Sequence, residues 1–313
     1  MNQSIVNQVA EQSYYSEDEI SLRELFGTLW RGKWIILLCT VVCAAVGVGY
    51  ALSKPNIYQA SVLLAPAQDE GGAGGLRGQL GGLASLAGIS LGGGGGSPTL
   101  IAKEVLQSRA FLTSFIHRHD LSVQLKAVKE WDLEVQKWLY DREIYNPDTG
   151  EWLTDLAGKS LKPTDWDLVK AFKGDHLSIS ENKDTGMLTV SIKHLSPTVA
   201  KNWAMMLVAD INEHMRREDV SKSEARIAYL ESKLQETNIA GMQQVFYQLI
   251  ESETRTVMLA NAQQEYVFKT IDPAVEPQEN SEPKRLLIIV LAVMLGGCLG
   301  VFIAFLRVFI QKK

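Results

Sequence analysis

Two apolar runs, Trp34 to Leu52 and Leu286 to Leu306, contain no charged residue and lie near opposite ends of a 313-residue chain. Each is roughly 20 residues, the length a helix needs to cross a hydrocarbon core of about 30 Å. Inside lipid the backbone must satisfy its hydrogen bonds within the segment, so each run predicts a helix. The expected organisation is therefore two transmembrane helices, 34–52 and 286–306, with residues 53–285 held between them. A cleaved signal peptide has a short basic leader and a shorter apolar core. Here the leader is long and carries Glu17, Asp18 and Glu19, so the first run reads as an uncleaved signal anchor.

Basic residues near the spans predict the orientation. Arg23, Arg31 and Lys33 precede the first span and Lys54 alone follows it closely; Arg307, Lys312 and Lys313 follow the second, against Lys284 and Arg285 before it. Segments 1–33 and 307–313 are expected in the cytoplasm and the middle outside, which in a bacterium means an inner-membrane protein with a periplasmic domain. Cys39, Cys43 and Cys298 all lie within the spans, so no disulfide can form in the outer domain. Cys39 and Cys43 share a helix face, where small apolar residues in lipid are the better reading than a metal or redox pair. A net charge of -5 argues against nucleic acid as a partner.

Residues 1–19 are polar. Leu22, Leu25, Phe26 and Leu29 share a face between Ser21 and Trp30, either as a surface-lying amphipathic helix or as the start of the first span. After Pro55, Tyr58, Ala60, Val62 and Leu64 alternate with their neighbours as a strand does. A glycine-rich tract, 71–96, follows and interleaves Leu76, Arg77, Leu80, Leu83, Leu86, Ile89 and Leu91. It reads as a loop, mobile or in contact with lipid, glycan or a neighbouring subunit; no Gly-Lys-Ser or Gly-Lys-Thr closes it as a phosphate loop. Thr99 is expected to cap a helix to about His117, and Gln124 to Tyr140 to form a second helical stretch. Asn146 to Gly150 is a turn, Thr164 with Asp167 a capping box opening a helix to Phe172, and Leu177–Ser180 with Met187–His194 a hairpin about Lys183–Gly186. Leu188, Val190 and Ile192 should face the core.

Ser196 and Pro197 mark a helix start, and residues 197–268 contain almost no helix breaker. Ala200, Trp203, Leu207 and Ile211 form one apolar stripe; Ile227, Leu230 and Leu234 form another. Roughly 70 residues of helix extend about 105 Å, whereas about 15 residues from Phe268 to the second span reach about 50 Å at most. The helix must fold back, with Thr237–Gly241 as the natural break, or begin far out and descend; either way the domain is expected to project away from the bilayer. A strand over Val267–Ile271 and a stiff connector, 272–283, with Pro273, Pro277 and Pro283, lead to the second span. Gly296 and Gly300 within it make a small-residue face for close helix packing.

No catalytic constellation emerges. Asp165-Trp166-Asp167 has the spacing of a metal-nucleotide acid pair, yet it fits a helix start with acids at the favourable dipole end far better. His117 and His119 point to different helix faces, and His194 and His214 have no obvious partner. There is no Gly-x-Ser-x-Gly elbow and no exposed cysteine nucleophile.

The layout resembles the Wzz-type chain-length determinants, polysaccharide co-polymerases of bacterial inner membranes. The resemblance rests on Asp18-Glu19-Ile20-Ser21-Leu22 with Leu25 and Trp30 ahead of the first span, and on Pro55 with Ile57-Tyr58-Gln59-Ala60. It rests also on the long helix from Ser196, and on Asp272-Pro273-Ala274, Pro277 and Pro283-Lys284-Arg285. It implies an α+β fold: two transmembrane helices flanking a periplasmic domain with an α/β base and long extended helices. It further implies a non-enzymatic, cofactor-free homo-oligomeric ring that sets the modal length of O-antigen lipopolysaccharide, or a related glycan. A separate Wzy-type polymerase makes that glycan on a lipid carrier. Contacts with the polymerase would centre on Pro273, Pro277, Pro283, Gly296 and Gly300, and the glycine tract with Leu76, Arg77, Leu80, Leu83 and Leu86 would face the lumen or the glycan. Two other readings share the layout: a capsule or exopolysaccharide export co-polymerase, whose kinase can be a separate chain, and a two-span sensory receptor, for which 307–313 is too short an output segment.

Overall fold

The structure is a computed structural model and describes residues 30, 32–67, 98–132, 135 and 137–311. The chain divides into two units, one formed by the terminal segments (up to Pro55 and from Glu282) and the other by Asn56–Ser281. The fold is mixed α and β: a larger α+β unit flanked by two helices long and apolar enough to cross a membrane. In the first unit these are α1 (Lys33–Ser53) and, at the other end of the chain, α8 (Arg285–Gln311).

The second unit is built on a four-stranded antiparallel sheet. β1 (Tyr58–Pro66) pairs with β7 (Leu188–His194) on one side and β8 (Phe268–Asp272) on the other, and β6 (Leu177–Glu181) closes the far edge beyond β7. The register sets Ala60 against Ile192, Val62 against Val190 and Leu64 against Leu188. Side chains alternate across a strand, so these six share one face, and all are at most 2 % exposed. Ser61 and Ser191 meet on the other face, their hydroxyls 2.8 Å apart. The β6–β7 hairpin turns where the sequence predicts, with Gly186 at φ +68°, a conformation glycine adopts without strain.

Helices cover the buried face. α2 (Pro98–Gln107) and α3 (Arg109–Arg118) replace the single helix expected from Thr99 to His117. Thr99 lies inside the first turn, and Ser108 adopts extended backbone and accepts a hydrogen bond from Phe111 N–H at 3.2 Å, restarting the helix. The helix expected over Gln124–Tyr140 is a second correction. A short α4 (Ser122–Lys126) gives way to β2 (Val128–Asp132) and β3 (Lys137–Tyr140). Trp131 and Trp138 sit opposite each other there with rings 4.2 Å apart; such cross-strand aromatic pairs favour a ladder over a helix. A smaller hairpin, β4 (Tyr145–Asn146) and β5 (Glu151–Trp152), holds the Asn146–Gly150 turn. α5 (Asp165–Ala171) opens on the expected Thr164–Asp167 capping box and runs into a π-helical turn, Phe172–His176.

The long helical region is a hairpin of two helices. α6 (Pro197–Glu236) and α7 (Ala240–Ala262) are separated at Thr237–Ile239, within the Thr237–Gly241 break expected for the fold-back course, one of the two the length argument allows. Helix ends at Ala262, short of Phe268, where β8 begins. Only the first half of α6 packs on the sheet: Ala200, Trp203, Leu207 and Ile211 are buried. Ile227, Leu230 and Leu234 are half-buried, and Arg226 of α6 bonds Glu253 of α7 at 3.3 Å.

Asn212 pins the hairpin to the sheet. Its Oδ1 accepts from Val267 and Phe268 N–H, each at 2.9 Å, and its Nδ2 donates to Phe268 C=O at 2.9 Å. One side chain thus bonds Phe268 as a neighbouring strand would. Glu265 Oε1 accepts from Thr270 N–H two residues further along at 3.0 Å, and Tyr266 Oη donates to Asp219 at 2.9 Å.

Candidate functional site

Small residues on α8 set the distance between the two apolar helices. Gly296 and Gly300 are buried, and Ala304 is 3 % exposed. A Cβ at Gly296 would fall 2.7 Å from Cys43 Cβ and 2.9 Å from Thr40 Cα; one at Gly300 would fall 2.7 Å from Ile36 Cα and 3.4 Å from Cys39 Cβ. On α1, Gly47 meets Ala292 in the same way. At Gly296 and Gly300 these contacts include backbone, which cannot swing aside, so only glycine permits this approach. Thr40 Oγ1 donates back to Ile36 C=O at 2.8 Å, satisfying its hydroxyl inside its own helix. Cys39 and Cys43 thus face α8, and Cys298 is exposed.

The connector after β8 is held at several points. Ala274 is buried, Thr198 Oγ1 donates to Glu276 at 2.6 Å, and Ser281 N–H donates to Ile57 C=O at 2.8 Å. The last contact brings the two ends of the sheet unit together. Pro273 is exposed, and Pro277 and Pro283 are half-buried. Leu76, Arg77, Leu80, Leu83 and Leu86, with the whole 71–96 tract, lie outside the described residues.

The histidines separate into two kinds. His117 pairs with Asp165 at 2.8 Å, His119 with Asp210 at 3.1 Å and His214 with Glu218 at 3.8 Å, all in partly exposed positions. His194, in contrast, is 2 % exposed. It lies opposite Tyr58 in the sheet register, and its ring centroid is 4.7 Å from that of Trp203 and 5.6 Å from that of His176. Its Nδ1 accepts from Ser196 N–H at 3.1 Å, and Ser196 is the residue that precedes α6. Burial first, and the neighbouring His176 second, push the His194 pKa down to about 3, against a hydrogen bond with the Gln124 backbone. Burial also lowers the pKa of His176, whose Nδ1 bonds Lys193 C=O at 2.7 Å. The Thr164 side chain and backbone lower the Asp167 carboxyl, as its capping role requires. Among the described residues no three of His, Cys, Asp and Glu come together as metal ligands.

Sequence reasoning missed Asn212 and the His176–His194 contact. The one available signal was a single amide adjoining Ile211 in an otherwise apolar stripe; its partners lie 55 and 56 residues away. This arrangement can hold helices together and present surfaces.

Two family models match the chain. One, described as "Chain length determinant protein" (Wzz), covers residues 18–119, and the other, described as "G-rich domain on putative tyrosine kinase" (GNVR), covers residues 233–309. Among solved structures the chain is similar to a full-length bacterial polysaccharide co-polymerase, at 14% identity and TM-score 0.38, covering 95% of this chain and 99% of that one. It is also similar to a fragment of WzzB, a polysaccharide co-polymerase from Salmonella Typhimurium, at 11% identity and TM-score 0.31, covering 72% of this chain and 100% of that one. No curated protein matches.

Proposed function

We propose that the chain is a Wzz-type chain length determinant, and from that premise that it regulates the modal length of a surface polysaccharide without itself being an enzyme. The observation that carries this reading is the chain-length-determinant match over residues 18–119, the segment that leads into and out of the first apolar helix. In this reading the protein is an inner-membrane homo-oligomeric ring with both termini cytoplasmic and residues 53–285 periplasmic. It acts on a Wzy-type polymerase and its lipid-linked glycan, with Pro273, Pro277, Pro283, Gly296 and Gly300 as candidate polymerase contacts. The tract holding Leu76, Arg77, Leu80, Leu83 and Leu86 is the candidate lumen or glycan loop. O-antigen lipopolysaccharide is the first candidate product. The G-rich-domain match over residues 233–309 favours a second, in which the same layout serves capsule or exopolysaccharide export beside a separate kinase.

Glycan length in a deletion strain, with and without the restored gene, separates them. A modal cluster of lipopolysaccharide bands that disappears on deletion and returns on complementation supports the first. Unchanged lipopolysaccharide with lost capsule or exopolysaccharide supports the second. If neither changes, the chain-length reading is wrong.

A further inference from the structure

Between the two family-model matches lies an aromatic cluster that contributes no residue to the buried core. Three of the seven tryptophans, Trp131, Trp138 and Trp152, fall there with Tyr140 and Tyr145. Trp131 and Trp138 are cross-strand partners with rings 4.2 Å apart. Tyr140 follows Trp138 by two residues on β3 and so shares its face. The Tyr140 ring is 5.7 Å from Tyr145, and Tyr145 is the cross-strand partner of Trp152, with rings 5.3 Å apart. The five rings therefore form one series across two small hairpins.

Its surroundings distinguish it from a core. Among the described residues from 128 to 167 none is buried, and all five aromatics are half-buried. A core closes over its largest side chains; this cluster leaves each ring partly open. Its inner end is anchored, because Trp138 meets the buried His194 edge-on at 5.5 Å. Its rim is polar. The Asp141 carboxylate accepts from Glu143 N–H at 3.0 Å and pairs with Lys129 at 3.0 Å, while Arg142, Glu143, Asp148 and Glu151 are exposed.

Flat aromatic faces with fixed acceptors and donors around them suit a ligand that is apolar on one face and hydroxylated at its edge. A pyranose ring has that character: its C–H bonds lie against an aromatic face, and its hydroxyls reach the polar rim. A lipid chain would leave those rim groups unmatched. We propose that Trp131, Trp138, Tyr140, Tyr145 and Trp152 form a platform that holds successive pyranose rings of a glycan. The identity of that ligand rests on the chain-length reading above.

The test uses the full chain in lipid nanodiscs. It is titrated with the delipidated surface glycan, released by mild acid from cells that carry the protein, and followed by tryptophan emission. Trp131→Leu and Trp152→Leu keep apolar bulk and remove the ring; each is expected to weaken binding about tenfold, and Trp152→Tyr to restore most of it. Unchanged affinity in both leucine variants, with unaltered unfolding temperature, overturns the platform. So does altered particle mass at unchanged affinity, which would make the strip a contact between copies. Should a leucine variant unfold, the native chain decides: glycan must protect Trp131 and Trp152 from hydroxyl-radical oxidation, and absence of protection rejects the proposal. A deletion strain with altered glycan lengths but no binding sinks the platform alone. Intact binding with unaltered lengths sinks the chain-length reading instead.

Discussion

His194 carries a neutral ring because its two environments both oppose charge: it is buried, and His176 is its neighbour. Its folded pKa, about 3, lies below the ordinary 6.5, so between those values the unfolded chain binds the extra proton. Stability from this site is therefore complete above about pH 6.5 and is lost as pH falls towards 3; the lowered pKa of His176 acts in the same direction. A protonated Nδ1 would also turn a donor towards Ser196 N–H, the bond at the head of α6. Thermal unfolding at pH 7, 5 and 4 should show a steady loss, and His194→Gln should flatten it. Equal slopes in the two proteins would rule out His194 as the source. Asn212→Ala acts without titration: it leaves two backbone N–H groups and a C=O near Phe268 without their partner, at roughly 1–3 kcal/mol for each buried group left unsatisfied. Denaturant unfolding should register a loss of at least about 2 kcal/mol; a change below about 0.5 kcal/mol, the scale of an ordinary surface substitution, would mean that water replaces the amide.

At the scale of elements, the glycine face of α8 gives the sharpest expectation. Gly300→Leu would put a Cβ 2.7 Å from Ile36 Cα, so the two helices must part, and the thermal unfolding temperature of the full chain in detergent should fall. An unchanged unfolding temperature would show that the two helices of one chain are not close partners. Much at this scale was legible beforehand. The apolar runs gave α1 and α8, alternation gave β1 and β7, and the span arithmetic left two courses for the long helical region, of which the one that folds back within Thr237–Gly241 is the one seen. The Gln124–Tyr140 segment was not legible. Its mixture of tryptophan and charge fits a helix or a ladder by local pattern, and the pairing of Trp131 with Trp138 decides it. Asn212 was illegible for another reason: a helix position reveals its burial in the sequence, but not the distant strand it bonds.

The whole chain is organised by where its segments meet. Asn56 and Ser281 bound one unit, and the Ser281–Ile57 bond closes it at a single place, so 225 intervening residue steps start and finish together. Pro273 and Pro277 were legible in the sequence only as stiff residues of the connector; Pro273 is exposed and Pro277 half-buried. The Asn212 and Glu265 side chains have a different meaning at this scale. A sheet whose last strand shows free N–H and C=O groups invites another chain to extend it. On β8, Phe268 has both groups occupied and Thr270 has its N–H occupied. That border is thereby closed to runaway growth at these positions: a second chain laid against it would find those groups already spoken for, and the ladder ends with this molecule.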